Sequence, residues 1–138
     1  MDLGQSTGAF LGLGPPYSDL EPSRFIVVAL PYEHSSAGRP GTAEAPSRIL
    51  TESRRVEFFD EESFRSAARL GIATLEPELQ DLPPEEQAQE LQAFSGKLQI
   101  GTKRTFYLGG EGSITQGLVR SYANQFRGLT LRQFDAHP

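Results

Sequence analysis

Residues 25–30 read Phe-Ile-Val-Val-Ala-Leu, an unbroken run of apolar side chains of which three are β-branched. A strand with one face in water would alternate apolar and polar residues, whereas this run has no polar position. It is therefore typical of a central strand in a parallel sheet, where both faces are buried. Pro31 ends the run, and a loop rich in glycine and proline follows over residues 31–42.

Helical patterns follow this strand. A helix is predicted from Ala45 or Pro46 to Ser53, because proline is well tolerated in a first turn, and it should turn Ile49 and Leu50 towards the core. A second helix is predicted over residues 85–99. Its apolar positions recur at steps of three and four residues, which places them on one stripe. These positions are Ala88, Leu91, Phe94 and Leu98.

The remaining pattern completes an alternation of helices and strands. The acidic stretch 60–62 predicts a solvated helix start, 105–108 a strand, 114–126 a helix and 129–134 a further strand. Such alternation predicts an α/β fold, a three-layer α/β/α sandwich with a mostly parallel sheet. Residues 1–24 are expected to be an irregular N-terminal segment and residues 25–138 to belong to the α/β domain.

Composition excludes several classes of protein. The chain has 138 residues, a net charge of −5 and 37% hydrophobic residues, enough to build one core. Its acidity argues against nucleic acid and anionic membranes as partners, since both require clustered Lys and Arg. No apolar run approaches the roughly 20 residues of a membrane helix. With no cysteine, thiolate metal sites and cysteine nucleophiles are excluded, and a cytoplasmic location is expected.

The carboxyl end of the chain carries a candidate metal-binding pair, Asp135 and His137. Side chains two apart on an extended backbone point the same way, so this carboxylate and imidazole could converge on one ion. Mixed oxygen and nitrogen donors suit Mn, Zn or Fe. The alternative is a purely structural hydrogen bond between them, and the spacing by itself leaves both open.

Two loops carry further candidate chemistry. Residues 109–113, Gly-Gly-Glu-Gly-Ser, join a predicted strand to a helix and could cradle a phosphate, although Glu111 would repel it. A tight turn that needs glycine is the alternative. In the loop after the first strand, His34 beside Glu33 could perform acid–base chemistry, or could simply be exposed.

Together these segments resemble the ureohydrolases, specifically the agmatinase branch of the arginase family. The similarity covers nearly the whole chain from about residue 9, and the matching segments occur in family order. The matching segments are Phe10–Leu13, Tyr17–Asp19, Leu30–Tyr32, Gly41–Glu44 with Pro46 and Ile49–Leu50, Glu57–Glu61, Gly71–Thr74, Leu108–Thr115 and Phe134–His137.

The resemblance implies the arginase-like fold, with residues 25–138 as its N-terminal portion and the fold therefore incomplete. It also implies Mn-dependent hydrolysis of a guanidino C–N bond with release of urea, using two Mn ions. Asp135 and His137 match two of the family's metal ligands. The family has a further ligating His where this chain has Gly112, and its remaining ligating Asp residues have no match within residues 1–138. Most of the metal ligands are therefore missing, and residues 1–138 alone are expected to be inactive.

The resemblance further implies a small guanidino substrate such as agmatine, no nucleic-acid or membrane partner, and homo-oligomers for full-length members. An alternative is a truncated, decayed paralogue that acts only as a binding protein. Gly112 favours this alternative, as does Arg132, whose guanidinium would be costly to bury unpaired in a central strand.

Overall fold

A three-stranded parallel sheet forms the centre of the chain. The structure is a computed structural model that describes residues 3–4, 6, 8–34, 40–79, 81–98 and 102–134. The sheet consists of β1 (Phe25–Leu30), β4 (Ile72–Leu75) and β5 (Arg104–Gly109), in the order β4-β1-β5. A separate antiparallel hairpin is formed by β2 (Phe59–Asp60) and β3 (Arg65–Ser66). In the described residues no helix is long and apolar enough to cross a membrane.

The central position predicted for β1 is confirmed. Val27 is paired in register with Thr74 of β4 on one side and with Phe106 of β5 on the other. The residues of β1 from Ile26 to Leu30 are all buried, so both faces of the strand are covered. Helices flank the sheet on both sides, which confirms the predicted three-layer α/β/α fold.

Two helices, α2 (Pro84–Leu98) and α3 (Ile114–Gln125), cover one face of the sheet. The apolar stripe predicted for α2 is confirmed, because all four of its residues are buried and three of them, Leu91, Phe94 and Leu98, belong to the core cluster on this face. Leu118 of α3 joins the same cluster, whereas Phe126, the last residue of the predicted helix, follows the last helical residue and is exposed.

The opposite face is covered by α1 (Ala45–Ser53) and by a short 3-10 helix, Phe10–Gly12. Leu50 packs into this layer, but Ile49 is exposed, so the prediction that both face the core is half wrong. Two buried hydroxyls fix the N-terminal segment on this side. The Oγ1 of Thr74 accepts a hydrogen bond from the Phe10 N–H at 2.8 Å, and the Oγ of Ser53 accepts one from the Leu11 N–H at 2.9 Å.

The acidic stretch 60–62 does not start a helix, so that prediction is wrong. The chain instead turns back between β2 and β3, because the Asp60 carboxylate binds the turn itself. This carboxylate accepts hydrogen bonds from the Glu62 N–H at 3.1 Å and from the Ser63 hydroxyl at 2.5 Å. Asp side chains that bind the backbone two residues ahead favour turns over helix interiors.

Residues 129–134 do not form the expected strand. Their side chains are exposed, and Phe134 is 94% exposed. A strand needs a hydrogen-bonded neighbour, and none of the described strands lies beside this segment. Arg132, in the middle of the segment, also opposes burial. The apolar pattern was therefore not sufficient evidence for a strand here.

Candidate functional site

The loops after β1 and β5 meet at the carboxyl edge of the sheet because the two strands are neighbours. Gly110 marks the point of closest approach. A Cβ atom at this position would lie 2.6 Å from the Thr42 carbonyl oxygen and 2.8 Å from that of Tyr32. Only glycine fits there without displacing backbone. In parallel sheets, this edge is where binding sites are usually found.

Glu111 links the two loops. Its Oε2 accepts a hydrogen bond from the His34 backbone N–H at 2.8 Å, and its Oε1 accepts one from the Ser113 hydroxyl at 2.7 Å. A carboxylate therefore lies just before the first residue of α3, where a phosphate would have to bind. This arrangement favours the tight turn over the phosphate-binding loop for residues 109–113.

Glu33 joins the described residues on the two sides of the loop after β1. Its Oε2 accepts hydrogen bonds from the backbone N–H groups of Gly41 and Ala43, each at 3.0 Å. Gly41 adopts a φ of 115°, a conformation that favours glycine. The Glu33 carboxylate thus binds backbone and does not form the acid–base pair with the His34 ring that the sequence suggested.

These hydrogen bonds make the loop sensitive to acid. The N–H groups of Ala43 and Gly41 lower the pKa of Glu33. Because the pKa of Glu33 is lower in the folded state, its hydrogen bonds stabilise the folded loop at any pH above the pKa that Glu33 has in the unfolded chain. This stabilisation is lost as the pH falls through the pKa that Glu33 has in the folded state. We therefore expect the Gly41 and Ala43 amide resonances to titrate together in NMR spectra, with a midpoint below the ordinary glutamate pKa.

Two variants separate this effect from general acid unfolding. Glu33→Gln should abolish the shared titration of the two amides. Glu44→Gln is the matched control, because Glu44 is an exposed neighbour whose carboxylate binds Arg48 instead. Shared titration that persists in Glu33→Gln would contradict the assignment to Glu33.

Tyr32 and His34 connect this edge to the segment before α2. The Tyr32 side chain is only 3% exposed, and its hydroxyl donates a hydrogen bond to the Leu82 carbonyl at 2.7 Å. Burial, followed by the negative charges of Glu111 and Asp81, raises the pKa of Tyr32. The His34 ring stacks on Tyr32, with ring centroids 6.3 Å apart, and its Nδ1 lies 3.9 Å from the Asp81 carboxylate.

The predicted metal ligands, Asp135 and His137, lie outside the described residues. Gly112, at the position of the family His, is exposed and offers open space, since a Cβ there would meet no atom within 4 Å. The described residues contain no group of three or more His, Asp or Glu side chains that could hold a metal ion. The donors present in the described part of the chain therefore do not fit a two-metal centre by themselves.

Sequence reasoning did not predict the contacts made by Glu33, Asp81 and Leu82. The sequence signal for the Glu33 contacts was a carboxylate just before a loop with two glycines, because backbone N–H groups in such a loop need acceptors. The link between Glu111 and His34 required the adjacency of β1 and β5, which lie 77 residues apart at this contact. Neither composition nor periodicity contains that information.

Comparisons with known proteins agree with this architecture. The agmatinase of Cronobacter sakazakii is 28% identical over 131 residues, which are 88% of this chain and 40% of that protein. The N(1)-aminopropylagmatine ureohydrolase of Thermus thermophilus is 30% identical over 136 residues, 92% of this chain and 44% of that protein. The chain thus spans less than half the length of these relatives.

Solved structures give the same result. The agmatine ureohydrolase of Thermoplasma volcanium superposes with a TM-score of 0.65 at 25% identity, covering 72% of this chain and 34% of that one. A structure described as a putative agmatinase from Clostridium difficile shares the fold, with a TM-score of 0.65 at 20% identity. The sequence model of the Arginase family matches residues 23–138. With this match over most of its length, the chain belongs to the arginase family.

Proposed function

We propose that this chain is part of a ureohydrolase that hydrolyses a guanidino C–N bond and releases urea. The observation that carries the proposal is the family match over residues 23–138, which includes both loops at the carboxyl edge of the sheet. Two relatives named agmatinase and N(1)-aminopropylagmatine ureohydrolase support a guanidino substrate such as agmatine.

Within this proposal, Asp135 and His137 are metal ligands and the metal is manganese. The described residues do not complete such a site. The proposed role of the described carboxylates is structural. Glu111 and Glu33 hold the loops that precede α3 and α1 in fixed positions. A cytoplasmic location and a homo-oligomeric assembly of the full-length protein also belong to the proposal.

The alternative function is that of a truncated binding protein without catalysis. The similarity to catalytic relatives runs through about nine tenths of the chain, which does not favour this alternative. The residue that supports the alternative is Gly112, because a glycine provides no metal donor.

The test is urea release by the complete coding frame that contains residues 1–138, expressed from its source and assayed with agmatine and Mn²⁺ after chelator treatment. We expect saturable urea release. Asp135→Ala and His137→Ala should each lower kcat by more than about 100-fold, because loss of a ligand should cost more than loss of a residue that merely supports one. Glu85→Gln, at an exposed ion pair with Arg120, is the control.

Two results would contradict the proposal. One is the absence of urea from the complete product with every metal supplied. The other is activity that survives both ligand substitutions. If the frame ends at codon 138, we expect no urea, and the binding alternative then replaces the enzymatic one.

A further inference from the structure

A carboxylate and two stacked rings form a group at the carboxyl edge of the sheet. The Asp81 side chain is 92% exposed, and its Oδ1 lies 3.9 Å from the Nδ1 of His34, whose ring stacks on Tyr32. We call these three residues the edge cluster. Among the described residues, no Lys or Arg nitrogen lies within 4.0 Å of the Asp81 carboxylate. Asp81 is therefore accessible to a cation from solution.

Contacts within the fold hold the edge cluster in position. The Tyr32 side chain is buried, and its hydroxyl donates a hydrogen bond of 2.7 Å to the carbonyl of Leu82, the residue after Asp81. The backbone N–H of His34 donates one of 2.8 Å to the Glu111 carboxylate. Because the rings and the Asp81 segment are fixed before a ligand arrives, little conformational entropy is lost when it binds.

The edge cluster lies beside the position of the proposed metal site. Glu111, which binds the His34 N–H, directly precedes Gly112, the position matched to the family's ligating His. Asp81 lies in the segment after β4, and β1 separates β4 from β5 in the sheet. Neighbouring strands are about 4.8 Å apart, so β4 and β5 are separated by about 10 Å. A molecule of about this length can reach from the surroundings of Gly112 to Asp81.

Agmatine, the proposed substrate, carries positive charge at both ends. A guanidinium lies at one end of its butyl chain and an ammonium at the other. The exposed part of the His34 ring offers a surface for the alkyl chain, and the Asp81 carboxylate offers an acceptor for the ammonium. A guanidine whose chain ends in a carboxylate would be repelled at the same place.

We propose that Asp81 is a specificity-determining residue that binds the ammonium at the far end of the guanidino substrate, with the His34 ring against the alkyl chain. The inference rests on the proposed function, in which the guanidino end is the one that reacts. Asp81 is distant from the bond that breaks, so its contact has the same strength before and during the reaction. Loss of such a contact raises KM and leaves kcat unchanged.

The first test measures binding and requires no turnover. Butylamine reproduces the cationic tail of agmatine, whereas butyrate ends in a carboxylate. In NMR titrations of the chain at constant pH, butylamine should shift the His34 imidazole and Leu82 amide resonances, and butyrate should not. Asp81→Asn should abolish these shifts. Glu78→Gln is the matched control and should retain them, because it neutralises another exposed carboxylate of the same segment.

Three results of the titrations would overturn the proposal. The first is equal shifts from butyrate and butylamine, which would indicate an effect of salt. The second is a butylamine shift that persists in Asp81→Asn or disappears in Glu78→Gln. The third is the absence of any shift with butylamine.

The second test measures specificity in the complete product. Asp81→Asn should raise KM for agmatine about fivefold, because ion pairs at exposed positions contribute modestly. KM for butylguanidine, which lacks the ammonium, should be unchanged, as should kcat for both substrates. Urea release with an unchanged KM for agmatine, or with an equal rise for butylguanidine, would overturn this proposal alone. If no urea forms while the butylamine shifts depend on Asp81, the enzymatic proposal fails and cation binding at Asp81 stands.

Discussion

Gly112→His is expected to raise the affinity of the chain for Mn²⁺ by at least about tenfold, which corresponds to about 1.4 kcal/mol of binding free energy. Position 112 lies between β5 and α3 at the carboxyl edge of the sheet. A Cβ atom there would meet no neighbouring atom within 4 Å, and Gly112 is not among the glycines with a positive φ. Histidine can therefore be added without steric or backbone strain.

The gain should come from a third donor added to the two proposed ligands, Asp135 and His137. Two donors hold an ion poorly, whereas an added imidazole supplies a nitrogen ligand that manganese accepts. Because the imidazole must be neutral to bind, the gain should diminish as the pH falls below the histidine pKa. The measurement is a titration of Mn²⁺ into the chain, followed by the electron paramagnetic resonance signal of the free ion.

Two variants separate ligation from general effects of the substitution. Gly112→Ala introduces a Cβ without a donor and should bind Mn²⁺ no better than the original chain. Adding Asp135→Asn to Gly112→His should remove the gain if the three side chains share one ion. Equal affinities for Gly112→His and Gly112→Ala would show that position 112 does not face the proposed metal site.

The fold was predictable where burial follows from local pattern. The apolar run correctly predicted strand β1, and the apolar stripe correctly predicted helix α2. In both elements the apolar residues lie on the sides that are buried in the fold. The same reasoning failed for residues 129–134, since a strand also requires a neighbouring strand that the pattern cannot specify. It also failed at the β2–β3 turn, where the Asp60 carboxylate binds local backbone.

The candidate site was less predictable than the fold. The alternating pattern predicted a loop after each of the two strands, but the hydrogen bonds that join these loops depend on which strands are adjacent. Glu33 is an example, because its neighbour in sequence is His34 while its hydrogen bonds go to Gly41 and Ala43. Their adjacency in sequence suggested an acid–base pair. The carboxylate instead binds backbone N–H groups of the loop, which have no partner in a helix or strand and need an acceptor.

Gly117→Ala is expected to lower the free energy of unfolding by about 1–3 kcal/mol, the usual cost of overpacking a core. Gly117 is buried where α3 crosses α2. A Cβ there would lie 2.3 Å from the Ala88 carbonyl oxygen and 2.9 Å from the Ala88 Cα. These are backbone atoms of a helix and cannot rotate away, so the two helices must separate. The measurement is urea denaturation followed by circular dichroism.

Gly96→Ala, in helix α2, is the control, and it is expected to change the free energy of unfolding in the opposite direction. Gly96 is exposed, and a Cβ there would make an ordinary 3.7 Å contact with the Ser121 hydroxyl. Alanine is favoured over glycine in helices, so this variant should gain about 0.5–1 kcal/mol. If helix propensity alone governed both positions, both variants would be stabilised, which would contradict close packing at Gly117.

The two variants should also differ at the loop before α3. Because α3 begins directly after the loop that contains Glu111, separating the helices should weaken the hydrogen bond between the Glu111 carboxylate and the His34 N–H. The His34 amide resonance should then shift in Gly117→Ala and not in Gly96→Ala.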